Sequence, residues 1–151
     1  PMGSLAMYNS FVRGILPTQK ERKAIAKFAQ KQLAPYSFLS DCGYQTIFAI
    51  GGTIRATAKL HRAFLGQDIP INGYLLQVSQ LEDLCALLKS LDMQGIRMME
   101  KVAPERITTL LPGLTVIQAV CRYTGAQQIK VVKKGVREGY LCHYLLHQKK
   151  S

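Results

Sequence analysis

Tryptophan is absent from the sequence, and aromatic residues make up only 8% of it. Proteins that bind single-stranded nucleic acid usually stack the bases on aromatic side chains, so nucleic acid is disfavoured as a partner. No apolar run of about 18 residues occurs, so we expect no membrane partner. The N-terminus has no charged stretch followed by a long apolar one, so we expect no signal peptide and a cytoplasmic location.

Acidic residues are also few. Asp and Glu total 9 against 20 Lys and Arg, which gives a net charge of +11. Such an excess favours an anionic partner, which could be nucleic acid, polyphosphate, a nucleotide or an acidic membrane. A solvated basic surface without a specific partner is an equally good interpretation of the charge alone.

Motifs that bind zinc or carry redox chemistry are missing. The four cysteines are widely spaced and form no C-x-x-C pair. Each lies in or near an apolar stretch, which predicts buried free thiols in a reducing cytoplasm. They are Cys42, Cys85, Cys121 and Cys142.

Catalytic motifs are missing as well. No G-x-S-x-G, H-E-x-x-H or Walker A pattern occurs, and the carboxylates are too dispersed to predict a metal site. His61, His143 and His147 are scattered, and we interpret each as a surface or helix-face residue. The sequence therefore indicates a chain that binds an anion and has few residues for chemistry of its own.

The pattern of apolar residues predicts one α/β domain over residues 1–151. Short apolar runs predict three strands, at Ser4–Val12, Thr46–Ile50 and Gln128–Val132. Capping-box spacing at Thr18/Glu21 and at Ser79/Glu82 predicts two helix starts, the second followed by a buried leucine stripe. Further helices are predicted at Thr53–Leu65, Pro104–Tyr123, with a cap at Gly125, and Val136–His147.

A pair of glycines follows the second predicted strand. Gly51 and Gly52 allow a sharp turn close to a ligand, and the helix that starts at Thr53 offers free N–H groups and a favourable dipole to an anion. Arg55, Lys59 and Arg62 lie on one face of that helix. The turn predicts a phosphate site, although a turn needed only for packing explains the glycines equally well.

A second turn has a similar plan. Lys133, Lys134 and Gly135 follow the third predicted strand, and Arg137 and Glu138 lie at the start of the last helix. Glu138 is interpreted either as part of a ligand site or as a partner of Arg137 or Lys134. This turn alone does not decide between binding and structure.

Four segments in order resemble motifs of one family, the exopolyphosphatases and guanosine pentaphosphate phosphohydrolases (Ppx/GppA). Gly51–Ala56 resembles its G-G-T-x-R-A turn, and Gly135–Gly139 resembles its late G-[LV]-R-E-G motif. Pro104–Gly113 resembles its R-A-D…P-G helix, with Thr108 in place of the expected Asp. Pro1–Ser4 resembles the P-x-G turn before a strand. The resemblance covers nearly the whole chain.

The resemblance implies the second lobe of a ribonuclease-H-like, actin-like ATPase fold, helix-rich with about three strands and incomplete at its N-terminal strands. It implies release of terminal phosphate from polyphosphate or guanosine pentaphosphate with Mg²⁺, whose ligands lie mostly upstream. The catalytic Glu would also lie in the missing first lobe, so no catalytic or metal-binding residue is expected here.

The resemblance also implies roles for particular residues. Gly51, Gly52 and Thr53 would face the phosphates, and Arg55 would hold the turn. Arg137 and Glu138 would brace the second turn around Gly135. Further contacts with a phosphate chain are predicted for a set of cations, which are Lys59, Arg62, Arg106, Lys133 and Lys134.

Other functions remain open at this stage. The chain could be a non-catalytic module that binds polyphosphate or a nucleotide, or could bind nucleic acid through its charge alone. A sugar or acetate kinase lobe of the same superfamily is a further alternative, which the R-E-G motif argues against. An uncovered sheet edge would also allow the chain to form a homodimer.

Overall fold

The computed structural model describes residues 2–41, 43, 45–89 and 93–147, and most of these residues lie in helices. The helices are α1 Ser4–Phe11, α2 Gln19–Leu33, α3 Phe38–Asp41, α4 Gly52–Phe64, α5 Val78–Lys89, α6 Met93–Val102, α7 Ile107–Thr124 and α8 Val136–His147. The strands are β1 Thr46–Ile50, β2 Leu75–Gln77 and β3 Gln128–Val132, and a 3-10 turn at Pro104–Arg106 leads into α7.

The three strands form one mixed sheet in the order β1-β3-β2. β1 pairs with β3 in parallel, with Thr46 opposite Gln128 and Ile50 opposite Val132, and β2 pairs with β3 antiparallel. β2 was not predicted, because three residues are too short to show the alternating period of a strand. The register places the ends of β1 and β3 side by side, and each end leads into a glycine turn.

α7 is the central helix of the described fold. It packs against α1 and α2 on one side and against α4 and α5 on another. Most of its residues are buried, including Pro112 and Gly113, and Gly125 ends it with a left-handed backbone (φ 70°) as predicted. None of the described helices is long and apolar enough to cross a membrane.

The strand predicted for Ser4–Val12 is wrong, because α1 occupies this segment. Met7 is buried and Phe11 is half-buried, and residues four apart share one face of a helix. The Phe11 ring centroid lies 5.4 Å from that of Phe28 on α2. A short apolar run fits either element, and here the packing surface of α2 and α7 selects the helix.

Only one of the two predicted capping boxes forms. The Thr18 hydroxyl accepts the N–H of Glu21 at 3.3 Å, and the Glu21 carboxylate accepts the N–H of Thr18 at 2.7 Å. The box predicted at Ser79 and Glu82 is wrong, because α5 already begins at Val78. Glu82 instead pairs with Arg122, 3.0 Å away, and so links α5 to α7.

The leucine stripe of α5 belongs to the core, as predicted. Leu81, Leu84 and Leu88 are buried, and Leu87 is half-buried. Leu91, the last member of the predicted stripe, lies outside the described residues.

β1 forms where it was predicted. The buried position that its apolar run suggests is wrong, because none of its residues is fully buried. It lies at the edge of the sheet, and Phe48 and Ile50 are 66% and 59% exposed on its outer face. The ammonium of Lys130 on β3 covers part of the Phe48 ring, 5.9 Å from its centroid.

The predictions for Cys142 and His61 also need correction. Cys85 and Cys121 are buried as expected, but Cys142 is exposed on α8, and Cys42 lies outside the described residues. His61 is buried rather than on the surface, and its Nδ1 lies 2.8 Å from the Tyr74 hydroxyl.

Candidate functional site

The first glycine turn connects β1 to α4. Gly51 has φ 136°, a conformation that side-chain-bearing residues rarely adopt, and it allows α4 to begin at Gly52 directly after the strand. No side chain caps this N-terminus. The first N–H groups of a helix lack partners within the helix, so this end of α4 can accept an anion.

Arg55 connects the two glycine turns. Its Nε donates to the carbonyl of Gly51 at 3.1 Å, and its Nη1 donates to the carbonyl of Lys133 at 3.4 Å. The N–H of Lys133 in turn donates to Oδ1 of Asn72 at 3.0 Å. Three separate loops are thus held together at the ends of β1 and β3.

A cleft of about 490 Å³ opens beside this junction. Its lining contains four cationic side chains and one carboxylate, together with the N-terminal residue of α4. Cations gathered in a concave site raise the local positive potential and attract anions. The charged lining residues are Arg55, Lys59, Glu105, Arg106 and Lys133, and the others include Gly52, Pro70, Ile71 and Asn72.

The guanidinium of Arg106 lies directly against Gly52. A Cβ added at Gly52 would stand 3.0 Å from Nη1 of Arg106 and closer still to the rest of the group. The backbone of Gly52 is helical and its φ is not positive, so its conformation does not require a glycine. A glycine is needed here because only the missing side chain lets Arg106 come this close. Arg106 is thereby placed beside the free N–H groups at the start of α4.

Thr53 points toward a different neighbour. A Cβ added at Gly113 on α7 would meet the Thr53 methyl at 2.7 Å and its hydroxyl at 3.0 Å. Thr53 is absent from the lining of the cleft, and it contributes with Gly51 to a separate pocket of about 230 Å³ between α4, α1 and α7. Gly52 lines both cavities. Phosphate contacts by Gly51 and Thr53 therefore stay predictions.

The second glycine turn is held by its own helix. The N–H of Gly135 donates to the Glu138 carboxylate at 2.7 Å, which is half of a capping box at the start of α8. This hydrogen bond is the main cause that holds the pKa of Glu138 below its ordinary value, and Arg137 and Arg55 lower it further. The geometry agrees with a bracing role for Glu138.

Glu138→Gln is expected to destabilise the fold near neutral pH and to have no effect in acid. A carboxyl with a lowered folded-state pKa stabilises the fold above its unfolded pKa, and this stabilisation is lost as pH falls through the folded value. Urea unfolding should therefore give curves for wild type and variant that converge below pH 4.5, the ordinary value. Glu100→Gln, at an exposed site on α6, is the control, and a difference that persists in acid would contradict the role.

The remaining predicted cations lie outside the cleft lining. Arg62 donates to the carbonyl of Ile69 at 2.9 Å and lies 3.5 Å from Asp68. Lys134 and Arg137 are exposed near the second turn. Contacts of Arg62 and Lys134 with a phosphate chain stay predictions, as does the bracing role of Arg137. Lys59, Arg106 and Lys133 do line the cleft.

The described residues do not form a Mg²⁺ site. They contain no group of three or more His, Cys, Asp or Glu side chains that could hold a metal. Glu105 is the one carboxylate in the lining of the cleft, among four cations. Mg²⁺ binds to carboxylates and substrate phosphates, so one carboxylate beside cations does not fit a site built by this chain.

The sequence model of the Ppx/GppA phosphatase family matches residues 1–148. The chain belongs to the Ppx/GppA phosphatase family. Among curated proteins, no sequence matches this chain. Family membership confirms the resemblance seen in the glycine motifs, which lie at the two turns that border the cleft.

Solved structures show the same fold in Ppx/GppA proteins. The Aquifex aeolicus Ppx/GppA protein is 24% identical, with a TM-score of 0.77, over 100% of this chain and 49% of its own. The type II variant of the Aquifex aeolicus Ppx/GppA phosphatase is 24% identical, with a TM-score of 0.74, and the match covers 95% of this chain and 47% of its own. An exopolyphosphatase from Cytophaga hutchinsonii is 16% identical, with a TM-score of 0.79, and the match covers 97% of this chain and 48% of its own.

The chain spans about half the length of these structures, and the predicted fold class is confirmed. It is a helix-rich lobe with three strands, matching part of a longer Ppx/GppA chain. Sequence reasoning missed the part of the lining that comes from Pro70, Ile71 and Asn72, which belong to no motif. Glu105 was not predicted as a site residue either, although it lies in the Pro104–Gly113 segment beside Arg106.

Proposed function

We propose that this chain is the phosphate-binding second lobe of a hydrolase that releases terminal phosphate from polyphosphate or guanosine pentaphosphate. The observation that carries the proposal is the cleft lined by Lys59, Lys133 and Arg106, in which the Arg106 guanidinium lies against the open N-terminus of α4. Membership of the Ppx/GppA phosphatase family supports the reaction class.

Arg106 is the residue best placed to hold a phosphate group. Among the described residues, no hydrogen bond or ion pair occupies its guanidinium, whereas Arg55 is engaged with two backbone carbonyls. A guanidinium can bind two phosphate oxygens at once, and the α4 N–H groups can bind a third. Arg55 would keep the two turns at the spacing that this arrangement needs.

Hydrolysis of a terminal phosphate depends mainly on positioning and on electrostatic stabilisation of the phosphoryl oxygens. The cations of the cleft can supply both. The base that activates water would come from the first lobe, and Mg²⁺ enters the proposal only as a cofactor of the complete enzyme. That enzyme would work in the cytoplasm.

The affinity of the chain for tripolyphosphate tests the proposal. Arg106→Gln is expected to weaken binding about 10- to 100-fold, since a hydrogen bond to a charged group contributes about 1.5–3 kcal/mol. Titration calorimetry would measure the affinity at fixed salt. Arg97→Gln, which removes the same charge from an exposed site on α6, should leave affinity nearly unchanged. Equal losses in both variants would show a net-charge effect and overturn the site.

A non-catalytic polyphosphate- or nucleotide-binding module is the second candidate. The observation that favours it is that one carboxylate and no histidine line the described cleft. Both candidates predict that the chain alone releases no phosphate, and robust turnover would contradict both. A coding sequence for a first lobe upstream of residue 1 would favour the hydrolase, and an in-frame stop codon there would favour the module.

A further inference from the structure

Four lysines lie along one face of α2. Lys20, Lys23, Lys27 and Lys31 follow at intervals of three, four and four residues and are all exposed. Such intervals place side chains above one another on a helix. The buried residues of α2 lie on the opposite face, against α1 and α7, and they are Ile25, Ala29 and Leu33.

Among the described residues, no carboxylate forms an ion pair with this lysine stripe. Glu21 is the one acidic residue of α2, and its carboxylate is bound to the N–H groups of Thr18 and Arg13 at 2.7 and 2.9 Å. The ion pairs found among the described residues involve Arg62 and Arg122, which lie on other helices. The stripe therefore presents four uncompensated charges to solvent.

The stripe is unfavourable for α2 in the absence of a partner. Lys23, Lys27 and Lys31 repel one another because like charges four residues apart are close. Lys20 and Lys23 also lie in the first turns of α2, where the helix dipole disfavours cations. An anion with several charges would relieve both effects at once.

We propose that the lysine stripe is a second polyphosphate-binding site, separate from the cleft, that retains long chains. The inference rests on the proposed function, because it takes polyphosphate as the ligand. Lys20 and Lys31 lie about 16 Å apart along the helix axis, so only an extended polyanion can contact all four lysines. A short phosphate chain held in the cleft would leave the stripe free.

The side chains around the stripe favour polyphosphate over RNA or a lipid surface. Phe28 is the one aromatic residue of α2, and it packs against Phe11, so bases find no stacking partner on the exposed face. Ala24 and Gln30 lie beside the lysines, and the exposed face of α2 itself has no large apolar side chain that could enter a membrane. Lysines act as compact point charges on flexible stems, which suits a phosphate chain that has no fixed geometry.

The test compares two variants with the same change in charge. Lys23→Gln, Lys27→Gln and Lys31→Gln are combined in the stripe variant. Arg97→Gln, Lys101→Gln and Lys130→Gln are combined in the control variant, at exposed sites away from α2. Binding of tripolyphosphate, long-chain polyphosphate and single-stranded RNA is measured for each over a range of salt concentrations.

The stripe variant should lose about tenfold or more in affinity for long-chain polyphosphate and keep its affinity for tripolyphosphate. The slope of log affinity against log salt for the long chain should become shallower by about 2, since three phosphate contacts are lost. The control variant should change little. Equal long-chain losses in both variants, or none in the stripe variant, would overturn the inference.

Two further outcomes are decisive. A stripe variant that loses RNA binding but keeps long-chain polyphosphate binding would overturn the inference in favour of a nucleic-acid surface. If the wild-type chain fails to bind tripolyphosphate, the proposed function of the cleft fails. The inference about the stripe is then still tested by comparing the affinities of the stripe variant and the control variant for long-chain polyphosphate. A failure of the cleft and a failure of the stripe can therefore be distinguished.

Discussion

Gly52→Ala is expected to lower the affinity for tripolyphosphate by about 10- to 100-fold while the fold stays intact. The added methyl group would occupy the space of the Arg106 guanidinium and displace it from the N-terminus of α4. The guanidinium is the far end of a flexible side chain, so it can move without disturbing the backbone. Alanine is also the better helix former, which favours the fold of α4.

Calorimetric titration and urea unfolding of the same samples would separate the two effects. Gly139→Ala is the matched control, because a Cβ at Gly139 on α8 meets nothing within 4 Å. In a double-mutant cycle, Gly52→Ala should add little to Arg106→Gln, since both remove the same contact. Full additivity of the two losses, or unchanged affinity in Gly52→Ala, would show that Arg106 beside Gly52 does not bind phosphate.

Gly113→Val is expected to destabilise the fold by about 1–3 kcal/mol through overpacking. Gly113 lies in the middle of α7 and is buried against two other helices. A Cβ there would stand 2.7 Å from the Thr53 methyl and 2.9 Å from Cβ of Ser4. Because α1 and the start of α4 both press on this position, the strain cannot be relieved by moving one flexible side chain.

Urea unfolding would measure the loss, with Gly139→Val as the control at an open helix position. Thr53→Ser should recover part of the loss in the Gly113→Val background, since it removes the methyl group that is contacted first. A Gly113→Val protein as stable as wild type would mean that α7 does not pack against α4 as described. Lower affinity for phosphate is also expected in this variant, because α4 would shift at its N-terminus.

Local features of the fold could be predicted from the sequence. The Thr18 capping box, β3, the cap at Gly125 and the two glycine turns depend on residues a few positions apart, and all of these form. Ser4–Val12 and Ser79 show the limit of local patterns. A short apolar run became a helix because α2 and α7 offer it a packing surface, and α5 starts one residue earlier than its apparent cap.

The candidate site could be predicted only in part. Gly52, Arg55 and Lys59 lie in one segment, and their spacing indicated a shared surface. Arg106 lies against Gly52 although the two residues are more than fifty positions apart, and no sequence pattern distinguished Arg106 from Lys134 or Arg62. Asn72 was missed altogether, because tertiary packing alone brings its loop to the cleft.

The parallel pairing of β1 and β3 has a consequence for how the protein folds. Gln128 and Thr46 are 82 positions apart, and their side chains are joined across the strands at 2.8 Å. Contacts between such distant positions form late, because a long loop must close first. A slip of one residue would move the two glycine turns about 3.3 Å apart along the strands and turn every β1 side chain to the other face. The cleft is therefore completed only when the slowest pairing is in register, and an anion that binds there would act as a template for that register.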